Sequence, residues 1–159
     1  MNPSLKQFVP SAVCLKCDGC CRFNLSDSPW RPKTGQAESI TGIDAQGYLK
    51  TIEALGHHQC VHFNPKDNTC GIYLQRPFEC SLYPFILSKN SEGIKMYVHL
   101  ACPYVQEQEL KEGFKQYALY LQEFFNQPVH KDFFKTNSRL LHDYSSFKDE
   151  LKYLFDIGD

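Results

Sequence analysis

Cys14-Leu15-Lys16-Cys17-Asp18-Gly19-Cys20-Cys21 gathers four thiols into one short run. A C-x2-C step brings two sulfurs within reach of a single tetrahedral ion or of one iron–sulfur cube, and here one such step follows another. Cys60, Cys70, Cys80 and Cys102 follow at wide intervals, so the chain of 159 residues holds eight cysteines. That number makes two tetrahedral sets, or one set with spares. Neighbouring residues such as Cys20 and Cys21 rarely both close on one ion without strain, so the spacing leaves open which sulfur serves which site. It also leaves zinc and iron–sulfur side by side. C-x2-C-x2-C is how bacterial ferredoxins offer three corners of a cluster, the fourth coming from a distant cysteine before proline, and Cys102-Pro103 is such a pair.

The length is that of one domain, large enough to bury an ordinary core. One domain over residues 1–159 is expected, made of a cysteine-cluster region at 14–102 and a helical segment at 103–159. With 42% hydrophobic and 14% aromatic residues, the composition is that of a folding chain. A net charge of -1 and a pI near 6.6 supply no long-range attraction for nucleic acid or an anionic membrane, and neither is an expected partner. Residues 1–13 lack the apolar run of an export signal, and no stretch is long and apolar enough to span a bilayer. The expected location is therefore cytoplasmic, where reduced thiols are better explained by metal than by disulfides.

Periodicity sketches the elements. Leu49, Ile52 and Leu55 recur at helical spacing after an acidic start and before Gly56, which predicts a short helix over Asp44–Leu55. Turn formers at 64–68 between two apolar stubs predict a hairpin with Cys60 and Cys70 at its ends. A second hairpin is expected from Phe85-Ile86-Leu87 and residues 94–100. Leu110, Phe114, Tyr117, Ala118, Leu121 and Phe125 predict a long amphipathic helix closed by Pro128. Ser146 with Asp149, followed by Leu151, Leu154 and Phe155, predicts a last helix. His62 and His99 lie two and three residues from a cysteine, as in mixed Cys/His zinc sites, but eight thiols leave them without an obvious need to ligate.

The run from Cys70 to Pro84, CGIYLQRPFECSLYP, adds I-Y-x-x-R-P-x-x-C-x-x-Y-P to the cysteine pattern. Taken with CxxCxxCC, the C-x9-C spacing of Cys60 and Cys70, and a final cysteine, it resembles the YkgJ-type CxxCxxCC cysteine-cluster family of zinc- or iron-chelating proteins. That family includes flagellin lysine N-methylase. The resemblance implies that Cys14, Cys17, Cys20, Cys21, Cys60, Cys70, Cys80 and Cys102 are metal ligands. It also assigns Arg76 to the R-P element, where a planar fork suits cluster sulfides, a carboxylate or a phosphate. Ser81 stands where a basic residue is usual, which speaks against a strongly cationic pocket.

The expected fold is α+β: a small irregular metal-centred domain with short β-hairpins, low strand content and a C-terminal helical segment. The expected function is a cytosolic cysteine-cluster protein binding iron, as an iron–sulfur cluster, or zinc, with a structural, redox or metal-handling role. One alternative is a cluster-dependent S-adenosylmethionine methyltransferase with its cofactor beside Arg76. Another is a structural zinc module that binds a protein partner. No GxGxxG, P-loop, GxSxG or HExxH occurs, so no familiar motif decides whether the chain is an enzyme.

Overall fold

The structure, a computed structural model, describes residues 4–158. From Pro10 onward the cysteine run folds as a succession of tight turns. One helical turn, α1 (Ser11–Cys14), is followed by bonds from the Cys17 N–H to the Cys14 carbonyl, 3.2 Å, and from the Cys21 N–H to the Asp18 carbonyl, 3.3 Å. The Gly19 N–H donates to the Cys17 sulfur at 3.5 Å. A 3-10 turn at Gly19–Cys21 then leads into the short strand β1 (Arg22–Phe23). Residues 25–42 form neither helix nor strand beyond an isolated bridge, as their polar composition and Pro29 and Pro32 predict.

The helix expected over Asp44–Leu55 does not form. Its second half is β2 (Thr51–Ala54), which pairs antiparallel with β3 (His57–Cys60), while β1 takes the other edge of β3. The reason lies in the connection. Leu55 and Gly56 both have positive φ, 53° and 79°, the conformation of a two-residue hairpin loop whose twist matches the strands it joins. Leu49, Ile52 and Leu55 share a spacing but no face: Leu49 is buried, whereas Ile52 and Leu55 are exposed. The next hairpin, β4 (Phe63–Asn64) with β5 (Thr69–Cys70), forms around the predicted turn. Cys70 ends it as expected, but Cys60 belongs to β3, opposite Thr51, and Gly71–Leu74 leads into a 3-10 turn rather than continuing a strand.

After Arg76-Pro77 comes α2 (Phe78–Leu82), then the predicted hairpin of β6 (Phe85–Asn90) and β7 (Gly93–His99). Pro103 opens a short α3 (Pro103–Gln108), and α4 (Glu112–Phe125) carries the amphipathic stripe, burying Phe114, Tyr117, Leu121, Phe124 and Phe125. Pro128 also opens a helix, α5 (Pro128–Thr136), with its fixed φ at the first turn. The last element, expected to be helical, is the strand β8 (Leu151–Ile157), antiparallel to β7. A bulge explains the misreading. Met96 faces Phe155 while Tyr97 faces Tyr153, so Leu154 is an extra residue. Burial then falls on Leu151, Phe155 and Ile157, and the first interval imitates one turn of helix.

Helix makes up 34% and strand 25% of this α+β fold, so strand content is ordinary rather than low. The larger core lies between the β6-β7-β8 sheet and helices α2, α4 and α5, around Phe78, Phe85, Met96, Leu121, Phe125 and Phe134. Among the described residues, the smaller core buries Phe23, Leu49, Cys60 and Phe63, with Cys21, Cys80 and Trp30 packed against them. Among the described residues, no helix is long and apolar enough to cross a membrane.

Candidate metal centre

The cysteines are presented by several short pieces of local structure. Cys14 ends α1, Cys20 and Cys21 lie in the 3-10 turn, Cys60 ends β3, Cys70 ends β5, Cys80 sits inside α2, and Cys102 caps α3. All eight are free thiols. Every one of them except Cys102 lines a cavity of about 80 Å³, whose wall also includes Trp30, Tyr73, Arg76, Glu79 and Tyr83. Cys102 lines a larger groove of about 710 Å³, together with Cys14, Cys17, Cys20 and Cys80. Those four cysteines line both spaces. Sulfurs from positions 14 to 102 are thus brought into one neighbourhood.

The electrostatics place Cys20 at the middle of it. Cys20 raises the pKa values of Cys14, Cys60, Cys80 and Cys102, in each case adding to a larger effect of burial. Cys14 and Cys60 are pushed up to about 11. Cys20 itself is raised first by its hydrogen bond with Cys21, then by burial. Burial favours the neutral form of such thiols, and ionising several at once would set like charges against each other in a poorly solvated space. A bound cation removes that conflict by holding the thiolates. Soft sulfur donors select zinc or iron over calcium or magnesium, so the donor set fits the expected metals by its chemistry. Among the described residues, however, no group of three or more Cys, His, Asp or Glu side chains is arranged to hold a metal ion as it stands. The thiols surround a space without forming a closed shell.

Arg76 contributes charge to this space, lowering the pKa of both Cys14 and Cys20 against the larger effects that raise them. Its guanidinium lies 3.9 Å over the Tyr73 ring, and Nη1 donates to the Tyr73 carbonyl at 2.6 Å, while Nη2 donates to the Gln7 side chain. Nε is buried without a hydrogen-bond partner. Trp30 stacks on His99 at 4.2 Å, and Nδ1 of His99 is hydrogen-bonded to the Tyr83 hydroxyl at 3.2 Å. Burial lowers the His99 pKa by disfavouring the charged ring.

The profile of the CxxCxxCC family, described as a putative zinc- or iron-chelating domain, matches residues 13–114. The chain belongs to this family. CxxCxxCC membership supports a zinc- or iron-chelating role, and the matched stretch contains all eight cysteines and Arg76. It ends inside α4, so α5 and β8 lie outside it, even though β8 supplies the third strand of the larger sheet. No curated protein and no solved structure matches the chain.

Within this CxxCxxCC site, two groups escape a reading of the sequence, and a third is legible there only as a weak candidate. Trp30 lies in the loop after β1 and has no motif around it, yet it lines both spaces. Lys33 is almost fully buried and pairs with Glu79 at 2.6 Å, next to Cys80 in α2. His99 carries a signal, its three-residue separation from Cys102, which eight available thiols make easy to discount.

Proposed function

We propose that this CxxCxxCC protein chelates zinc or iron through Cys14, Cys17, Cys20, Cys21, Cys60, Cys70, Cys80 and Cys102, in a structural, redox or metal-handling role. The observation that carries the reading is that every cysteine from Cys14 to Cys80 lines one small cavity. A bound metal would neutralise the thiolates and, if iron–sulfur, supply one-electron chemistry. The protein's own part is to hold the sulfurs, with Arg76 offsetting their charge and Trp30 and Tyr83 walling the space.

Anaerobic purification followed by metal and acid-labile sulfide quantification tests this. Stoichiometric iron with matching sulfide supports the cluster form, and stoichiometric zinc without sulfide supports the chelate. Folded protein that stays free of both after loading overturns the proposal. Zinc alone, with a stable partner on pull-down, would favour a structural module for protein interaction. The enzymatic alternative draws its support from the buried, unpartnered Nε of Arg76 beside the cysteines. Calorimetric titration of metal-loaded protein with S-adenosylmethionine decides it, since an absence of heat with metal intact removes that reading.

A further inference from the structure

We infer that His99 and Cys102 are ligands of a second metal centre, in the larger groove, distinct from the one that Cys21, Cys60 and Cys70 approach. The inference rests on the chelating reading above and divides its donors between two spaces. Cys21, Cys60 and Cys70 line only the small cavity, and His99 and Cys102 line only the groove. Cys14, Cys17, Cys20 and Cys80, which line both, are the sulfurs available to complete either set.

His99 has the anchoring that a metal-bound imidazole needs. Such a ligand uses one ring nitrogen for the metal and fixes the ring by hydrogen-bonding the other. Here Nδ1 is held by the Tyr83 hydroxyl at 3.2 Å, and the ring face is held by Trp30 at 4.2 Å. Only 6% of His99 is exposed, and its Nε2 is buried with no hydrogen-bond partner. Metal binding takes the tautomer in which Nδ1 carries the proton and donates it to the Tyr83 oxygen, which frees the Nε2 lone pair. A buried polar nitrogen left without a partner is rare, and a bound ion is one group that would satisfy it.

Cys102 stands next to it through local geometry. The Cys102 N–H donates to the His99 carbonyl at 3.4 Å, closing a turn in which the two donors are separated by Leu100 and Ala101. That is ligand spacing for a tetrahedral ion. Cys17 and Cys20 line the same groove as Cys102. Because no three such groups are closed around a point among the described residues, the centre forms when two of the thiols that line the groove turn toward the His99–Cys102 pair.

The test loads reduced, metal-free wild-type protein with zinc and records zinc K-edge X-ray absorption. A sulfur-rich shell with imidazole back-scattering is expected, and an all-sulfur shell overturns the inference without any variant. His99→Ala and Cys102→Ser should each reduce bound zinc to about half, with Cys60→Ser removing the other part, as two separate four-ligand sites require. Should His99→Ala fail to fold, His99→Phe, which keeps a ring against Trp30 and removes the nitrogen donor, is expected to lose zinc from one site and leave it bound at the site that holds Cys60. Equal weakening of both sites would count against the inference. Protein that takes up neither zinc nor iron would overturn the chelating reading itself, whereas full uptake into an all-sulfur shell would overturn this inference alone.

Discussion

Lys33 carries its charge into the interior, and its surroundings explain how it remains there. Its ammonium lies 2.6 Å from the Glu79 carboxylate, donates to the Tyr144 hydroxyl at 2.8 Å, and sits over the rings of Tyr48 and Tyr144. The other Glu79 oxygen accepts the Lys33 backbone N–H at 2.6 Å. Glu79 precedes Cys80, so this pair fastens the loop after β1 to the helix that presents a thiol. Removing one member of a buried ion pair strands the other, and Lys33→Met should cost about 3–5 kcal/mol in chemical denaturation. A loss below about 1 kcal/mol would show that the pair holds nothing in place. Nothing in the sequence announces it, because the partners lie 46 residues apart. The thiols themselves give the other prediction at this scale. Cys17→Ser and Cys80→Ser should each lower metal content on elemental analysis, and full occupancy in both variants would contradict the ligand assignment.

Among the elements, the hairpin of β2 and β3 matters because β3 delivers Cys60. Its loop contains a leucine in the left-handed region, 99% exposed, so the side chain gains no burial in return for its strain. Leu55→Asn installs the Asn-Gly pair that this loop type favours and should stabilise the protein by about 0.5–1 kcal/mol. An unchanged or lower denaturation midpoint would mean that the loop adopts another turn. The same loop shows how a periodic signal misleads, since Leu49, Ile52 and Leu55 imitate a helical face over too short a window. The helix α4 was legible because its stripe runs through several turns, and β6–β7 because its turn formers are local. The bulge in β8 broke the alternation that would have marked it as a strand.

Across the whole molecule, the two cores differ in what they rest on. The larger one is aliphatic and aromatic, closed by α4, α5 and β8. The smaller one has four buried residues, one of them Cys60, and leans on Cys21 and Cys80. Metal bound there would take the place of apolar mass, and its binding free energy would become folding free energy for the N-terminal part. Chelation should therefore move protease cuts into residues 11–76 while the β6-β7-β8 sheet and its helices stay protected. An unchanged digestion pattern after complete metal removal would refute this. The sequence by itself determined the donor chemistry, the family and the locally periodic elements, because thiol spacing, turn residues and the stripe of α4 act over a few residues at a time. Only the tertiary structure decided that Leu151–Ile157 is a strand, since its partner β7 lies far back in the chain. Tertiary packing also decided which sulfurs share a space, and that His99 stands among them with Nε2 unpaired. Convergence of distant segments is set by burial and pairing across the chain, and no local pattern of residues encodes it.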